Sequence, residues 1–209
     1  MPIDLEALFR PGVAVLTVEC QRGVIGPNGP LPALVAAVRE SGIVPRGAGV
    51  LEAARAAGRP VLHGTVIRRP DGGGFVRNCR LFTAAESSGS PPLLIGSEQQ
   101  KVIEEFGPGE LDYEVPRYHG VSLFHDTELD AILRSLEVRT VVLLGVSLNI
   151  AITGTTIEAV NRGYQVVIPA DGVIGTPAEY GEAMLQYSLR MLATVTTCDD
   201  VVAALGAGC

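Results

Sequence analysis

Four stretches of the chain are apolar and β-branched at nearly every position: Val13 to Cys20, Pro60 to Ile67, Val138 to Val146 and Tyr164 to Ala170. Runs of that length without polar alternation predict strands covered on both faces. The segment ATVTT, from Ala193 to Thr197, is a weaker fifth candidate. Between these runs the apolar positions recur at three- and four-residue spacing, which predicts helices in LPALVAAVRE, GVLEAARAAG, SEQQKVIEEF, TELDAILRSL, NIAITGTTIEAVNRG and AEYGEAMLQYSLRML. Gly58 and Gly163 sit where C-caps with positive φ are needed. Thr127 marks a helix start.

Strand and helix alternating in this order predict an α/β fold: a mostly parallel sheet, helices on both faces, right-handed crossovers. Ligands in such sheets bind outside the carboxyl ends of the strands, so the search for chemistry narrows to the residues just after each strand. One long irregular stretch remains, Arg68 to Pro92, rich in Gly, Ser, Arg and Pro. Its size fits a lid or a binding segment. With 209 residues, 47% of them hydrophobic, the chain suits one domain spanning 1–209.

Charge and cysteine content exclude several classes of partner. The net charge is −7 and the sixteen basic residues are scattered, so no basic stripe for a nucleic acid is present. Charges or prolines interrupt every apolar run before it reaches bilayer length, so no membrane association is expected. The N-terminal MPIDLEALFRPG lacks the pattern of a signal peptide, and a cytoplasmic location is the expectation. Cys20, Cys79, Cys198 and Cys209 form no CxxC pair, and His63, His119 and His125 form no compact ligand motif. No metal and no cofactor are therefore expected.

Two strand ends carry candidate chemistry. In VECQRG, a strand persisting to Gln21 would turn Glu19 and Gln21 to one side and Cys20 to the other. A carboxyl group set among apolar residues there suits a general acid or base; the competing reading is a surface Glu opening a loop. In GVSLNIA, the first helical N–H groups near Ile150 and Ala151 would form a pocket for an anion or oxyanion. Its competitor is an ordinary helix start with Asn149 near the cap.

The strand AVLTVECQRG and the segment VPRYHGVSLFHDTELDAILRSLEVRTVVLLGVSLNIAITGTTIEAVNRGYQVVIPADGV resemble the isochorismatase-like, or cysteine hydrolase, superfamily, from about Pro11 to Asp200. The resemblance implies a Rossmann-like three-layer αβα sandwich with a six-stranded parallel sheet, a small-molecule substrate, and a homodimer or homotetramer. It also implies a cis peptide at Val146 and Ser147, and a catalytic aspartate, lysine and cysteine. Each of these three is altered here. The aspartate place falls on Glu19. The lysine place falls on Val115 or on Tyr118, depending on whether PRY or Phe124 is matched. If the chain is extended there, Val115, Arg117 and His119 share a face, and Arg117 and His119 could supply the positive charge. The cysteine place falls on Ala151, whose methyl group cannot attack a carbonyl. Gln21, Asn78, Arg80, Phe124 and Ser147 are the expected substrate-binding positions, and Arg77 is a further candidate for holding an anion.

Three readings follow. One is a hydrolase or lyase working without a cysteine, with Glu19 as acid or base on an anionic or carbonyl-bearing metabolite and the amides of Ile150 and Ala151 as an anion pocket. An apolar wall around Glu19 would favour its protonated form. Another is an inactive relative binding a small molecule or partner protein in the same place, and the third is an amidase with a relocated nucleophile. The first accounts best for an acid at position 19.

Overall fold

The computed structural model describes residues 4–207; Cys209 lies outside them. Six parallel strands form one sheet in the order β3-β2-β1-β4-β5-β6. They are β1 Val13–Val18, β2 Val61–Val66, β3 Tyr113–Arg117, β4 Thr140–Gly145, β5 Gln165–Pro169 and β6 Thr194–Thr196. Every residue of β1 and of β4 is buried, as continuous apolar runs require in a sheet covered on both sides. Leu16 pairs in register with Leu62 on one side and Leu143 on the other.

The pleat divides the core in two. Val13 and Val15 face a layer formed by α3 (Pro32–Ser41), α4 (Ile43–Ala56) and α9 (Cys198–Gly206), through Leu34, Val50, Leu51, Val201 and Leu205. Ala14, Leu16 and Val18 face α6 (Leu129–Ser135) and α7 (Thr153–Asn161), through Leu129, Leu133 and Ala159. Each fully buried leucine contributes roughly 1.5–3 kcal/mol, so the two half-cores hold the strand ends rigidly in place. α9 opens with a capping box between Thr197 and Asp200. Gly58 and Gly163 close helices with φ of +63° and +87°.

Several expectations are corrected. SEQQKVIEEF holds turns, a single antiparallel bridge from Val102 to Gln21 and the 3-10 turn Glu104–Phe106, because Val102, Ile103 and Phe106 pack into the core while Lys101 and Gln100 carbonyls bond back to Arg22 and Gln21. Tertiary bonding overrides a short helical periodicity there. The 68–92 stretch holds a helix, α5 (Arg80–Ser87), with no buried residue. Helices α1 (Leu5–Phe9), α2 (Arg22–Ile25) and α9 lie outside the periodic segments, whereas α8 (Ala178–Tyr187) falls within AEYGEAMLQYSLRML.

Strand order reverses direction between β1 and β4, and a crevice forms at the carboxyl edge of a parallel sheet at such a point. Gly145 makes the β4 turn possible. Its φ is +107°, and a Cβ there would lie 2.5 Å from both Cys20 Sγ and the Val18 oxygen. A side chain would therefore push the two strand ends apart at the place where the site is built.

Candidate active site

Glu19 is the first residue beyond β1 and has φ +55°, a left-handed conformation uncommon for any residue with a Cβ. This turn ends the strand alternation, so Glu19 and Gln21 do not share a face as expected. Gln21 is fully buried, and its carboxamide serves the backbone. Nε2 donates to the oxygens of Val66 at 2.9 Å and Gln100 at 2.8 Å, and Oε1 accepts from the Val66 N–H at 2.7 Å. With both amide hydrogens used, Gln21 locks two strand ends and has none left for a ligand.

Arg117, the last residue of β3, is 2% exposed. Its Nε donates to the Gly120 oxygen at 3.1 Å and its Nη2 donates to the Glu19 carboxylate. Its Nη1 is buried without a partner among the described residues. The expected apolar wall around Glu19 is thus replaced by a guanidinium, and a carboxylate so bonded is an acceptor only. Val115 and Arg117 are both buried on one face, as the extended reading required, while β3 ends before Tyr118 and His119.

The irregular stretch covers this edge. Arg68 follows β2, donates Nη1 to the Ile67 and Tyr118 oxygens at 3.0 and 2.9 Å, and stacks its guanidinium 3.7 Å from the centre of the Phe75 ring. Phe75 and Phe82 both pack on His119, with ring centres 5.9 and 5.0 Å away, and His125 packs on it at 5.8 Å. His119 Nδ1 is buried and has no partner among the described residues. Burial lowers the Arg68 pKa from its ordinary value, opposed by the charge of Glu86, assisted by Arg117 and opposed by Glu19. Arg68 was missed in the sequence, although its place one residue beyond Ile67 at a strand end was the signal to follow.

On the β4 side, the Val146–Ser147 peptide is cis, as the family resemblance implied. A π-helical turn, Leu148–Ile152, precedes α7. Ala151 is 2% exposed within it. The amide of Ile150 is not free: it donates to the Ser147 oxygen at 3.1 Å, as does that of Ile152. Its place in the expected anion pocket is therefore corrected, because the π turn folds back onto Ser147. Asn149 does not cap the helix but donates Nδ2 to the Thr176 oxygen at 3.2 Å. The Thr155 hydroxyl accepts from the Leu123 N–H at 3.1 Å, which pins α7 to the segment following Arg117.

Other expected positions lie elsewhere. Phe124 is buried and stacks on Tyr164, with Arg162 4.9 Å from its ring centre, at the amino end of β5. Asn78 and Arg80 are exposed at the start of α5, and Arg77 is exposed and bonded to Glu86. Three cysteines lie among the described residues. Cys20 is buried, with burial and then the Glu19 charge pushing its thiol upward; burial pushes Cys198 up to about 12; Cys79 is exposed on the loop. No group of three or more His, Cys, Asp or Glu among the described residues is arranged to hold a metal ion.

A second polar chain runs through the opposite half-core. The Thr17 hydroxyl lies 2.8 Å from His63 Nδ1, and His63 Nε2 lies 3.1 Å from Asp112. Because a carboxylate only accepts, Nε2 carries the hydrogen and Nδ1 accepts from Thr17. Asp112 also accepts from Arg55 at 2.6 Å and from the Gly109 N–H at 2.7 Å. Burial pushes the His63 pKa down despite Asp112, so the ring is neutral.

A parallel sheet whose switch point carries an acid after β1, a buried guanidinium at the end of β3 and a cis peptide after β4 defines a three-layer αβα protein with a candidate site at the carboxyl edge. The profile described as Isochorismatase domain matches residues 13–200, and the chain belongs to the isochorismatase family. It is similar to a cysteine hydrolase from Pseudomonas syringae pv. phaseolicola, at 26% identity and a TM-score of 0.83, covering 100% of this chain and 97% of that one. An isochorismatase family protein from Desulfovibrio vulgaris is also 26% identical, with a TM-score of 0.76 and 92% and 99% coverage. The maleamate amidohydrolase of Pseudomonas putida is 26% identical over 178 residues, 82% of this chain and 76% of that protein. The match to the isochorismatase family protein YaaI of Bacillus subtilis, 29% identical, takes in 48% of this chain and 56% of that relative's length.

Proposed function

We propose that this chain is a small-molecule hydrolase that works without a cysteine nucleophile, with Glu19 as a general base on water and a carbonyl-bearing substrate beside it. The observation that carries this reading is the Glu19 carboxylate bonded to the buried Arg117 at the switch point of the sheet. A carboxylate held as an acceptor favours the base over the acid that would protonate an enol ether. Arg117 keeps Glu19 oriented, and with Arg68 it supplies the positive field in which negative charge develops on the substrate. Ala151 leaves no side chain to form a covalent intermediate, so water attacks directly. Entry requires the 68–92 segment to lift Phe75 and Phe82 from His119. The reading places the reaction in the cytoplasm and in a homo-oligomer, both expectations of the sequence and its family resemblance.

The test is hydrolysis of a panel of amides, lactones, ureas and enol ethers by the parent and by Glu19→Gln. Maleamate is included because it is the compound in a relative's name. Loss of a general base is expected to slow turnover by about 10²–10⁴-fold. A variant as fast as the parent removes the proposal. A second reading, a relative that binds a small molecule or partner without turnover, draws support from the Ala151 methyl and the occupied Ile150 amide. It requires saturable binding with no product anywhere in the panel.

A further inference from the structure

A groove of about 1130 Å³ opens on the helical layer formed by α3 and α4, bounded also by α2 with its closing turn and by the chain from Ile103 to Glu105. Ile25, Val35, Val38, Val44, Ala48 and Ile103 line it, and it shares no lining residue with the cluster around Glu19. Concave, mostly apolar surfaces of this size are where small molecules bind. Gly49 stands in its wall, in the middle of α4, where glycine is a poorer helix former than any residue but proline. Close packing does not require it there. A Cβ at Gly47 would lie 2.7 Å from the Phe106 ring, whereas one at Gly49 would meet nothing within 4 Å. Because Gly49 is exposed and lines the groove, a side chain at that position would fill the groove and leave the core untouched. The charges on the rim do not balance. Arg22 is held by Glu98 and Glu104 at 2.8 and 2.9 Å, and Arg39 has its neighbour Glu40 at 3.5 Å. Glu52 and Glu105 also line the groove and have no ion-pair partner among the described residues. Both stand at one end of it, since Arg55, one turn beyond Glu52, reaches the oxygens of Phe106 and Gly107 at 2.8 and 3.0 Å.

From this we propose that the groove is a second binding site, for a small apolar cation whose hydrocarbon body lies on the valine and isoleucine wall and whose ammonium is received by Glu52 and Glu105. The site is separate from the carboxyl edge and independent of the chemistry proposed there. Removing hydrocarbon from water supplies the affinity, and the two carboxylates select the sign of the head group.

Calorimetric titration with four probes tests it: adamantan-1-amine, adamantan-1-ol as its neutral isostere, adamantane-1-carboxylate as the opposite charge, and methylamine as an ammonium without a body. The amine is expected to bind about fivefold more tightly than the alcohol, the upper range for an exposed ion pair, and the margin is expected to shrink as salt is added. The carboxylate is expected to bind more weakly than the alcohol, and methylamine not at all. Gly49→Leu is expected to erase binding of amine and alcohol alike without lowering the melting temperature, because leucine suits a helix better than glycine. Should that variant fail to fold, the double substitution Glu52→Gln and Glu105→Gln carries the test: it is expected to bring the amine down to the affinity of the alcohol and to leave the alcohol unchanged. Glu19→Gln is expected to bind all four probes as the parent does. No binding of the amine, a carboxylate bound as tightly as the amine, an unchanged affinity in Gly49→Leu, or loss of the amine in Glu19→Gln overturns the inference. Each of these outcomes leaves the hydrolase reading standing, since that reading is judged by turnover.

Discussion

Two buried polar clusters flank the sheet, and they differ in how completely they are satisfied. In the first, Thr17, His63, Asp112 and Arg55 form a chain with no buried side-chain nitrogen or oxygen left without a partner among the described residues, and Arg55 adds bonds to the Phe106 and Gly107 oxygens. The second, at the carboxyl edge, holds Glu19 in a left-handed conformation and leaves Arg117 Nη1 and His119 Nδ1 without partners among the described residues. A closed network fixes a structure. Strain and unsatisfied groups persist where something else is meant to arrive. By this contrast the Thr17–His63–Asp112 arrangement, despite its likeness to a nucleophile, base and orienting acid, holds β1, β2 and the segment before β3 together, and the less orderly cluster is where the proposed chemistry is placed.

Substitutions should separate the two clusters. The largest stability effect is expected from Asp112→Ala, which strips a 5% exposed carboxylate from Arg55 and His63. Urea unfolding should show a loss of about 3 kcal/mol, the low end for breaking a buried pair because Arg55 can reach water. Next comes the pH dependence of stability. The folded pKa of His63 is lowered from 6.5, so above 6.5 the ring is neutral whether the chain is folded or not. As pH falls below that value the unfolded chain takes up a proton that the folded one refuses, and stability drops by up to about 1.4 kcal/mol per pH unit until the folded value is reached. His63→Gln should flatten this slope in urea midpoints compared at about pH 7.5 and 5.5. The smallest effect is expected at Arg77, exposed and paired only with Glu86. Arg77→Gln should leave melting temperature and turnover unchanged, and a marked loss of turnover would mean that the loop tip reaches into the site.

The sequence made the layering legible because burial on both faces leaves an unbroken apolar run, as in Val13–Val18 and Thr140–Gly145. Arg117 was brought to the neighbourhood of Glu19 by the family resemblance and not by pattern, because β3, with exposed Tyr113, Glu114 and Pro116, has no unbroken apolar run to announce it. What pattern reading missed depends on single torsions and long-range bonds. The φ of Glu19 cannot be seen in side-chain alternation, and it sends Gln21 inward to Val66 and Gln100. The π turn at Leu148–Ile152 looks like a helix start by composition, yet it spends the Ile150 amide on Ser147. Phe124 was assigned to the site from family position, whereas packing on Tyr164 and Arg162 draws it to the other end of the sheet.

The most direct measurement sets Glu19→Gln beside Asp112→Asn and reads both unfolding free energy and turnover on the substrate that the parent hydrolyses fastest. The expected result is a split in turnover: assayed folded, Glu19→Gln loses its rate while Asp112→Asn keeps it, although both lose stability because each breaks a buried ion pair. A shared pattern, with both variants merely less stable or both equally fast, would contradict the assignment of function to the carboxyl edge.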